Sequence, residues 1–559
     1  MNWIKLRIIF LNLIIIFAMS AASLSLAQEK FFELEKVKPG MNGKGYSVFS
    51  GTKIDNFDVQ VLAVVEGDVG RDKLILVKLS GKHLEQSGGL AAGMSGSPVY
   101  IRGKLLGAIS YGFENADSYL ALVTPIENML RMLPIRKQSV YYKGGLYKFR
   151  RDSFRPVVSP VIVTGMGKRG FDTLSAALEP YPLQPVFFGG RKSREIPGFV
   201  RLEPGSAVAV QVVSGDYQVS AIGTVTMVEG DNFLAFGHSF TNRGKVDYLA
   251  YQAEILHTIK SQVMSFKIGL PLQKSGRIVE DRQNGILGRF GEFPRLIPVM
   301  VNVKDLDRNL SRTSSFQVID NEQMYRDLII AGVTDGIDQA INRVGSGTAL
   351  VKIQVELDNI SGPFHRENLF YGKDIAVSSL HDLRELLDLL TTNEFSQVAL
   401  KSIEVNIEVQ EKRRTARILK IETTRPKVRP GEKVKLRAVI QTFRGEKLAI
   451  PFEIELPNNI ESGKLTLTAH GSSTFITEPE AGDGKKSEFK SGIKQADSLE
   501  ESLQDFFTGV KNNQIIMEYQ IKESYGLDKK EIKDIKLKSD TLYCIHDEAQ
   551  FDLEIEKNP

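Results

Sequence analysis

Short runs of alternating apolar and polar residues fill the chain from residue 28 to about residue 133. Turn residues separate these runs, which read GYSVFSG, FDVQVLAVVEG, KLILVKLSG, SPVYIRG, KLLGAISYGF and LALVTPI. Alternation with a period of two places successive side chains on opposite faces of a strand, so the pattern predicts a β-barrel or a β-sandwich. The segment IENMLRML predicts a short helix, Ile126–Leu133, that closes this block.

A second block of strand-like runs lies between residues 200 and 303 and reads AVAVQVVSG, YQVSAIGTVTMVEG, NFLAFGHSF and RLIPVMVNV. Both blocks carry the same turn residues in the same order. They are Pro39-Gly40, Ser50-Gly51 and Val65-Glu66-Gly67-Asp68 in the first block, and Pro204-Gly205, Ser214-Gly215 and Val228-Glu229-Gly230-Asp231 in the second. Hairpins often reuse such residues, but three matched points in order favour two related barrels.

The segments around the second block predict a connector and a mixed region. Residues 141–199 are rich in proline and arginine and predict a connector between two barrel halves, which span residues 28–140 and 200–303. Residues 304–408 predict a mixed α/β segment. The segments Asn321–Arg343 and Ser379–Leu390 have helical spacing, whereas Ala349–Leu357 and Ser402–Gln410 alternate as strands.

The C-terminal part again alternates. Residues 409–475 contain ARILKIETT, KVKLRAVIQTF and GKLTLTAHG, a pattern typical of an immunoglobulin-like β-sandwich. Residues 476–559 predict a polar linker and a C-terminal tail with one helix, Leu499–Val510. The chain as a whole is therefore expected to be mainly β.

Composition narrows the function classes. The chain has 559 residues, and its 72 basic and 68 acidic side chains nearly balance, which gives no electrostatic footprint for nucleic acid. Cys544 is the only cysteine, so an intramolecular disulfide and a cysteine zinc site are excluded. The sequence has neither paired histidines nor a phosphate-binding glycine motif, so no metal and no cofactor is expected.

The N-terminus has the features of a targeting segment. Lys5 and Arg7 precede the apolar run Ile8–Phe17, and Ser25-Leu26-Ala27 fits a cleavage site before Gln28. Residues 1–27 are therefore expected to be a signal peptide, or alternatively a retained anchor that attaches the protein to the membrane. Either interpretation places the rest of the chain outside the cytoplasm, in the periplasm or on the extracellular side of the cell envelope.

The segment GGLAAGMSGSPVY places Ser95 between Gly93 and Gly96. A serine hydroxyl becomes an effective nucleophile when a base takes its proton and hydrogen-bond donors hold the oxyanion. Glycines on both sides let the backbone turn so that amides converge, and Gly93, Met94 and Ser95 are the candidate donors of an oxyanion hole. A turn that happens to contain serines is the structural alternative.

His238 is the histidine best placed to act as the base. It follows the apolar run NFLAFG and comes after the repeated VEGD of the second block. A histidine at a strand end is usually a polar cap. However, a histidine in one barrel and a glycine-framed serine in its sister barrel are what acyl transfer in a cleft requires. His257, in contrast, is predicted to lie on a helix.

The motif Gly93-Met94-Ser95-Gly96-Ser97-Pro98 resembles the serine motif of the SpoIVB-type sporulation serine peptidases, together with its lead-in LEQSGGLAA and its continuation GKLLGAIS. IDNFDVQVL resembles a strand of the same half in that family, Gly237-His238-Ser239 resembles its Gly-His-Gly motif, and GRIVEDRQNGILG resembles a later hairpin. The resemblance implies a trypsin-like double β-barrel that acts on a protein or peptide, with Ser95 as nucleophile and His238 as general base.

Two features depart from the family's pattern. The family has its histidine half first, whereas the serine half comes first here, as in a permuted domain. The family's acid lies fifteen residues before the serine, where this chain has Ser80. The possible substitutes are Asp247, Asp72, Asp281 and Glu280. Asp247 is preferred as the third catalytic residue because it follows His238 closely.

Three hypotheses follow. The first is an exported serine endopeptidase whose C-terminal regions position the substrate or dock to a protein partner in the envelope. The second is a catalytically inactive, peptidase-like protein that acts as a binding scaffold in the envelope. The missing acid at Ser80 favours this second hypothesis. The third is an all-β envelope protein in which GMSGSP is only a turn.

Overall fold

The computed structural model describes residues 30–66, 73–113, 116–133, 147–148, 155–156, 160–181, 183–188, 195–261, 264–358, 360, 362–472, 497–524 and 530–556. Residues 1–27, which the sequence predicts to be a targeting segment, and Asp72 lie outside these residues. Two compact units divide the chain: the first takes in residues 1–164, 178–212 and 218–295, the second residues 165–177, 213–217 and 296–559. Within the described ranges, no helix is long and apolar enough to cross a membrane.

The first unit begins with a closed barrel of six strands. The strands of this region are β1 (Asn42–Ser50), β2 (Lys53–Glu66), β3 (Lys73–Ser80), β4 (Ala91–Ala92), β5 (Pro98–Ile101), β6 (Lys104–Gly112) and β7 (Leu120–Pro125). The ring runs β1-β2-β3-β7-β6-β5 and returns to β1, and β4 lies outside it. Apolar side chains that alternate along β2 and β3 fill the interior, as the sequence pattern predicts. Short helices span Leu34–Lys36, Lys82–Ser87, Ile126–Met129 and Leu130–Met132.

The segment predicted as an irregular connector contains regular structure. Its strands are β8 (Tyr147–Lys148), β9 (Arg155–Pro156), β10 (Pro160–Thr164), β11 (Gln184–Phe187) and β12 (Ile196–Phe199), and its helix is Lys168–Leu178. β10 and β11 extend the sheet of the second barrel, because β10 pairs with β14 and β11 pairs with β10.

The second barrel repeats the topology of the first. Its strands are β13 (Ala207–Gly215), β14 (Gln218–Glu229), β15 (Asn232–Ala235), β16 (Gly244–Ile259), β17 (Ser265–Arg282) and β18 (Gly285–Phe290). The ring runs β13-β14-β15-β18-β17-β16 and returns to β13, which is the strand order of the first ring. His257 lies on β16, so the prediction of a helix at this position is wrong.

Two of the three repeated turn points occupy equivalent positions in the two barrels, whereas Gly67-Asp68 of the third point lie outside the described residues. Gly40 and Gly205 precede the first strand of each ring, with φ of 85° and 96°. Gly51 and Gly215 lie in the first hairpin of each ring, with φ of 60° and 119°. Positive φ favours glycine over other residues, so the repeated glycines mark the same turns in two barrels of equal topology.

From residue 296 onward, the second unit contains a sheet and helices. The strands are β19 (Leu296–Asp305), β20 (Leu310–Ile319), β21 (Gly347–Leu357), β22 (Phe364–Gly372) and β23 (Leu400–Gln410), paired in the order β20-β19-β23-β21-β22. The helices are Tyr325–Ile341, Ile375–Ser378 and His381–Thr392. The mixed α/β prediction is therefore confirmed in its elements, although RLIPVMVNV forms β19 of this unit and not a strand of the second barrel.

Two packed sheets form the C-terminal part. The strands are β24 (Thr415–Thr423), β25 (Lys427–Val428), β26 (Lys433–Thr442), β27 (Lys447–Glu455), β28 (Gly463–His470), β29 (Gln514–Ser524), β30 (Lys530–Asp540), β31 (Cys544–His546) and β32 (Glu548–Ile555). They share one apolar core that extends from Ala416 to Ile555. The sandwich thus draws in residues predicted as a tail, and the helix Leu499–Thr508 lies within this sequence.

Candidate active site

Ser95 lies on a loop whose conformation requires glycine. Gly93 and Gly96 have φ of 93° and 90°. A Cβ atom on Gly96 would lie 1.9 Å from the carbonyl oxygen of Thr224, and one on Gly93 would lie 3.2 Å from the side chain of Lys267. The glycines around Ser95 therefore serve both the turn and the close approach of strands from the second barrel.

The second barrel holds the serine loop in place. β4 pairs in parallel with the first two residues of β17, Ala91–Ala92 with Ser265–Phe266. The amide of Thr224 on β14 donates to the carbonyl of Ser95 at 2.8 Å. The loop that carries the candidate nucleophile thus belongs to the first barrel in sequence and hydrogen-bonds to the second.

The loop that carries His238 is held in the opposite direction, by the first barrel. The hydroxyl of Thr124 on β7 donates to the carbonyl of Gly237 at 2.7 Å. A Cβ on Gly237, whose φ is 70°, would lie 3.1 Å from the carbonyl oxygen of Ile109. That same oxygen accepts the amide of Gly96 at 2.7 Å. The serine loop and the histidine loop therefore meet at Ile109.

The ring of His238 is buried, with 4% of the residue exposed, and it is oriented by its own loop. Nδ1 lies 2.7 Å from the carbonyl oxygen of Ser239. Because a carbonyl only accepts, this contact assigns the ring proton of neutral histidine to Nδ1 and leaves Nε2 as the basic nitrogen. The rings of Tyr111 and Phe236 lie about the imidazole at 6.2 and 5.9 Å between centroids.

Asp281 on β17 fixes the residues that follow His238. Its buried carboxylate accepts the amides of Phe240, Thr241 and Asn242 at 2.8, 2.5 and 2.9 Å and the hydroxyl of Thr241 at 2.6 Å. Hydrogen bonds to a charged carboxylate are stronger than neutral ones. Asp281 therefore fixes the backbone of residues 240–242, which follow His238-Ser239 directly. The sequence named Asp281 only as one of four possible acids and did not predict this anchoring role.

Asp247, the preferred third catalytic residue, is engaged elsewhere. Its carboxylate lies 3.1 Å from the guanidinium of Arg277 on β17. Burial raises the pKa of Asp247, and the Arg277 guanidinium opposes that shift. The ring nitrogen that an acid would bind in a triad, Nδ1 of His238, instead contacts Ser239. Glu280 pairs with Arg282 at 2.5 Å.

The candidate oxyanion donors differ in their hydrogen bonding. The Met94 amide donates to the carbonyl of Ala91 at 2.9 Å, within the turn. This amide would reach an oxyanion only after that turn opens. Gly93 and Ser95 remain candidate donors to the oxyanion.

One group in the second unit has the composition of a metal site. His381, Asp382 and Glu385 offer ligand atoms within 4.8 Å of one another. The buried carboxylate of Asp382 is already bound by the guanidinium of Arg366 and, at 3.0 Å, by the amide of Asn368. A cation there would meet the positive charge of Arg366, so this group is explained as a buried ion pair.

Two six-strand barrels of equal topology, one with a glycine-framed serine and one with a histidine, form a fold consistent with the trypsin-like double barrel of serine peptidases. The model of the SpoIVB peptidase S55 family matches residues 25–130. The match confirms the resemblance over the first barrel, including Ser95, and ends before His238. At the level of the family it supports a SpoIVB-like serine peptidase. No curated protein and no solved structure matches the chain.

Replacing Asp281 by asparagine should destabilise the fold far more than the same change at Asp247. Asp281→Asn would place an amide group against backbone donors that now share a carboxylate, and we expect the unfolding free energy to fall by about 3 kcal/mol. Asp247→Asn loses one half-exposed ion pair, so its cost should be about 1 kcal/mol or less. Urea unfolding of both variants measures the difference. Equal losses would contradict the anchoring role assigned to Asp281.

Proposed function

We propose that this chain is an exported serine endopeptidase in which Ser95 is the nucleophile and His238 the general base. The observation that carries the proposal is the meeting of the two loops. Gly96 of the serine loop donates to the Ile109 carbonyl, against which Gly237 of the histidine loop also packs. Glycine at both positions permits this approach, and the family match over the first barrel supports the choice of serine.

The reaction would follow acyl transfer. The Ser95 hydroxyl oxygen attacks the carbonyl carbon of the scissile peptide bond, and its proton passes to Nε2 of His238. The C–N bond then breaks, and the same proton goes to the departing amine. Water repeats the sequence on the ester to release the acid product and restore Ser95. The amides of Gly93 and Ser95 are the proposed donors to the oxyanion.

The imidazole Nδ1 of His238 contacts the neutral Ser239 carbonyl, whereas in a catalytic triad it contacts a carboxylate, and this difference affects the proposed reaction. During proton transfer the imidazole of His238 becomes positively charged. The carbonyl of Ser239 can hold the tautomer but offers only a dipole to the imidazolium, where a carboxylate would offer a full charge. The proposed enzyme is therefore expected to be slower than a peptidase with a complete triad.

The described conformation is closed. Ser95 has no exposed surface and His238 is 4% exposed. A peptide can reach Ser95 only after the serine loop or its surroundings move, and the binding of an envelope protein to this chain is the proposed source of such a change. Export to the periplasm or the cell exterior is proposed from the N-terminal targeting pattern.

An inactive, peptidase-like scaffold of the envelope is the second candidate function. The closure of Ser95 and the presence of Ser80 at the family's acid position favour it. In this case the barrels would bind a partner protein without turnover, and Ser95 would be a residue of the core.

Labelling with a tagged fluorophosphonate separates the two candidates. The probe is added to the purified exported chain, and the modified residue is identified by mass spectrometry. Modification at Ser95 that disappears on prior unfolding supports the peptidase. A folded protein that takes up no probe, with or without an envelope extract, contradicts the peptidase and supports the scaffold.

A further inference from the structure

Lys267 is a buried lysine beside the serine loop that the proposed reaction does not use. It is the third residue of β17, directly after the residues that pair with β4. Only 1% of it is exposed, and its methylene groups lie 3.2 Å from the position of a Cβ on Gly93. Lysine is rarely buried to this degree, so its position beside Gly93 calls for a functional or structural explanation.

A relay of three hydrogen bonds connects Lys267 to the serine loop. Its Nζ donates to the hydroxyl of Ser47 on β1 at 2.8 Å. The Ser47 hydroxyl lies 3.3 Å from the hydroxyl of Thr224, which donates to the carbonyl of Gly93 at 3.2 Å. The backbone of Thr224 also holds Ser95. The relay therefore ends at Thr224 and Gly93, and both residues hold the loop that carries Ser95.

The surroundings of Lys267 make its charge adjustable. Burial lowers the pKa of Lys267 to about 7. The ring of Phe49 lies 5.2 Å from Nζ, and His83 stacks on that ring with Asp55 at 3.6 Å from the imidazole. On the neighbouring strand β16, His257 is exposed. Lys267 thus gains or loses its proton in the neutral range.

We propose that Lys267 is a positioning residue for Ser95, whose ammonium form sets the direction of the relay and thereby the conformation of the serine loop. This inference rests on the proposed peptidase function and deepens it. An ammonium only donates, so the Ser47 hydroxyl must accept from Lys267 and can donate its own proton to the Thr224 hydroxyl. The Thr224 hydroxyl in turn donates to the Gly93 carbonyl. A neutral amine can instead accept from Ser47, which releases the rest of the relay.

Lys267 also makes fold stability depend on pH. Between about pH 7 and its ordinary pKa of 10.5, the folded chain holds fewer protons on Lys267 than the unfolded chain does. The unfolding free energy therefore rises with pH across this window. Below it, Lys267 is charged in both states and the full cost of burying the ammonium applies. Lys267→Met keeps the packing, removes this cost and removes the rise.

Hydrogen–deuterium exchange of residues 93–97 in the full chain tests the proposal. Exchange is measured at about pH 6 and about pH 9, on either side of the Lys267 pKa, and corrected for the intrinsic rates. The relevant exchange is through local openings of the loop in which Lys267 stays buried. In the wild type we expect protection against these openings to fall at the higher pH by about two- to tenfold, the range of one neutral hydrogen bond. In Lys267→Met the protection should be equally low at both values.

Two threonines on β14 provide matched variants. Thr224→Val breaks the last link of the relay and should abolish the pH-dependent change, as Lys267→Met does. Thr226→Val removes a hydroxyl that donates to the Gly96 carbonyl at 2.8 Å, from the same strand and the same loop. Thr226 is not part of the relay, so this variant should keep the pH-dependent change.

A folded Lys267→Met chain whose segment 93–97 exchanges like the wild type at both pH values would overturn the proposal. Because exchange needs no turnover, this result is independent of labelling at Ser95. A wild type that never labels refutes the peptidase function while exchange still decides the role of Lys267. Where the wild type does label, its rate constant should lose a pH-dependent component in Lys267→Met.

Discussion

Ser95→Ala is expected to abolish fluorophosphonate labelling and to lower peptide hydrolysis by about three orders of magnitude or more, as removal of the nucleophile does in serine peptidases. In the proposed reaction the Ser95 hydroxyl forms the ester with the substrate, while the change of a buried serine to alanine leaves the loop's backbone intact. Labelling is followed by mass spectrometry and hydrolysis by release of a fluorogenic peptide.

Ser97→Ala is the matched control for this prediction. Ser97 lies two residues away, is equally buried, and donates to the Thr224 hydroxyl at 3.5 Å. We expect it to retain labelling at Ser95. His238→Ala should cost about as much as Ser95→Ala, and the double variant should be no worse than either, because residues that act as a unit are strongly non-additive. Additive losses would argue against a shared step.

Gly96→Ala is expected to lower the unfolding free energy by about 4 kcal/mol or more, which places it among the most damaging single substitutions. The added Cβ would lie 1.9 Å from the Thr224 carbonyl oxygen and 2.5 Å from the amide of Phe236. Both are backbone atoms, so the serine loop and the second barrel would have to separate. Chemical denaturation measures the loss, and the labelling of Ser95 should fall with it.

Gly103→Ala is the matched control, because it measures the cost of a left-handed backbone conformation without the steric clash expected at Gly96. Gly103 also has positive φ, 76°, but a Cβ there would meet no atom within 4 Å. Its substitution should cost about 1–2 kcal/mol, the penalty for a left-handed residue alone. If both variants lose equal stability, the contact between Gly96 and the second barrel is not what holds the loop.

The repeated turns show what local sequence could predict. A glycine with positive φ is required wherever the hairpin geometry demands it, so Gly40 and Gly205 recur at matching places in two barrels. The glycines of the serine loop likewise indicated a tight turn in the sequence, although the sequence did not show which strands they approach. The mainly β fold class, the repetition of the barrel and the glycine-framed serine loop could all be predicted in this way.

β16 shows where local spacing fails. The segment around His257 has apolar residues at helical intervals, yet it pairs along most of its length with β17. Pairing between strands distant in sequence decides such segments, and their local spacing carries little weight against it. For the same reason the sequence analysis ended the C-terminal sandwich too early. β28 pairs with β29, which follows it in sequence only after a long polar segment.

The sequence predicted only part of the candidate site, because contacts between residues distant in sequence leave no local signal. Ser95 and His238 stand beside glycines that mark their loops. Asp281 and Lys267 act across the fold: one binds amides some forty residues earlier, and the other reaches Ser47 on the first strand. Nothing in their sequence neighbours distinguishes them from Asp247 or from an exposed lysine.

The dependence of the serine loop on the second barrel has a consequence for biosynthesis. The loop is held by Thr224 and by Ser265–Phe266, which follow Ser95 by more than a hundred residues. A chain that emerges from its N-terminus first therefore presents Ser95 long before the strands that shape its loop exist. A nascent or truncated chain that ends before residue 224 carries Ser95 without any of the second-barrel strands that hold its loop, so the loop can take its described conformation only after most of both barrels has been synthesised.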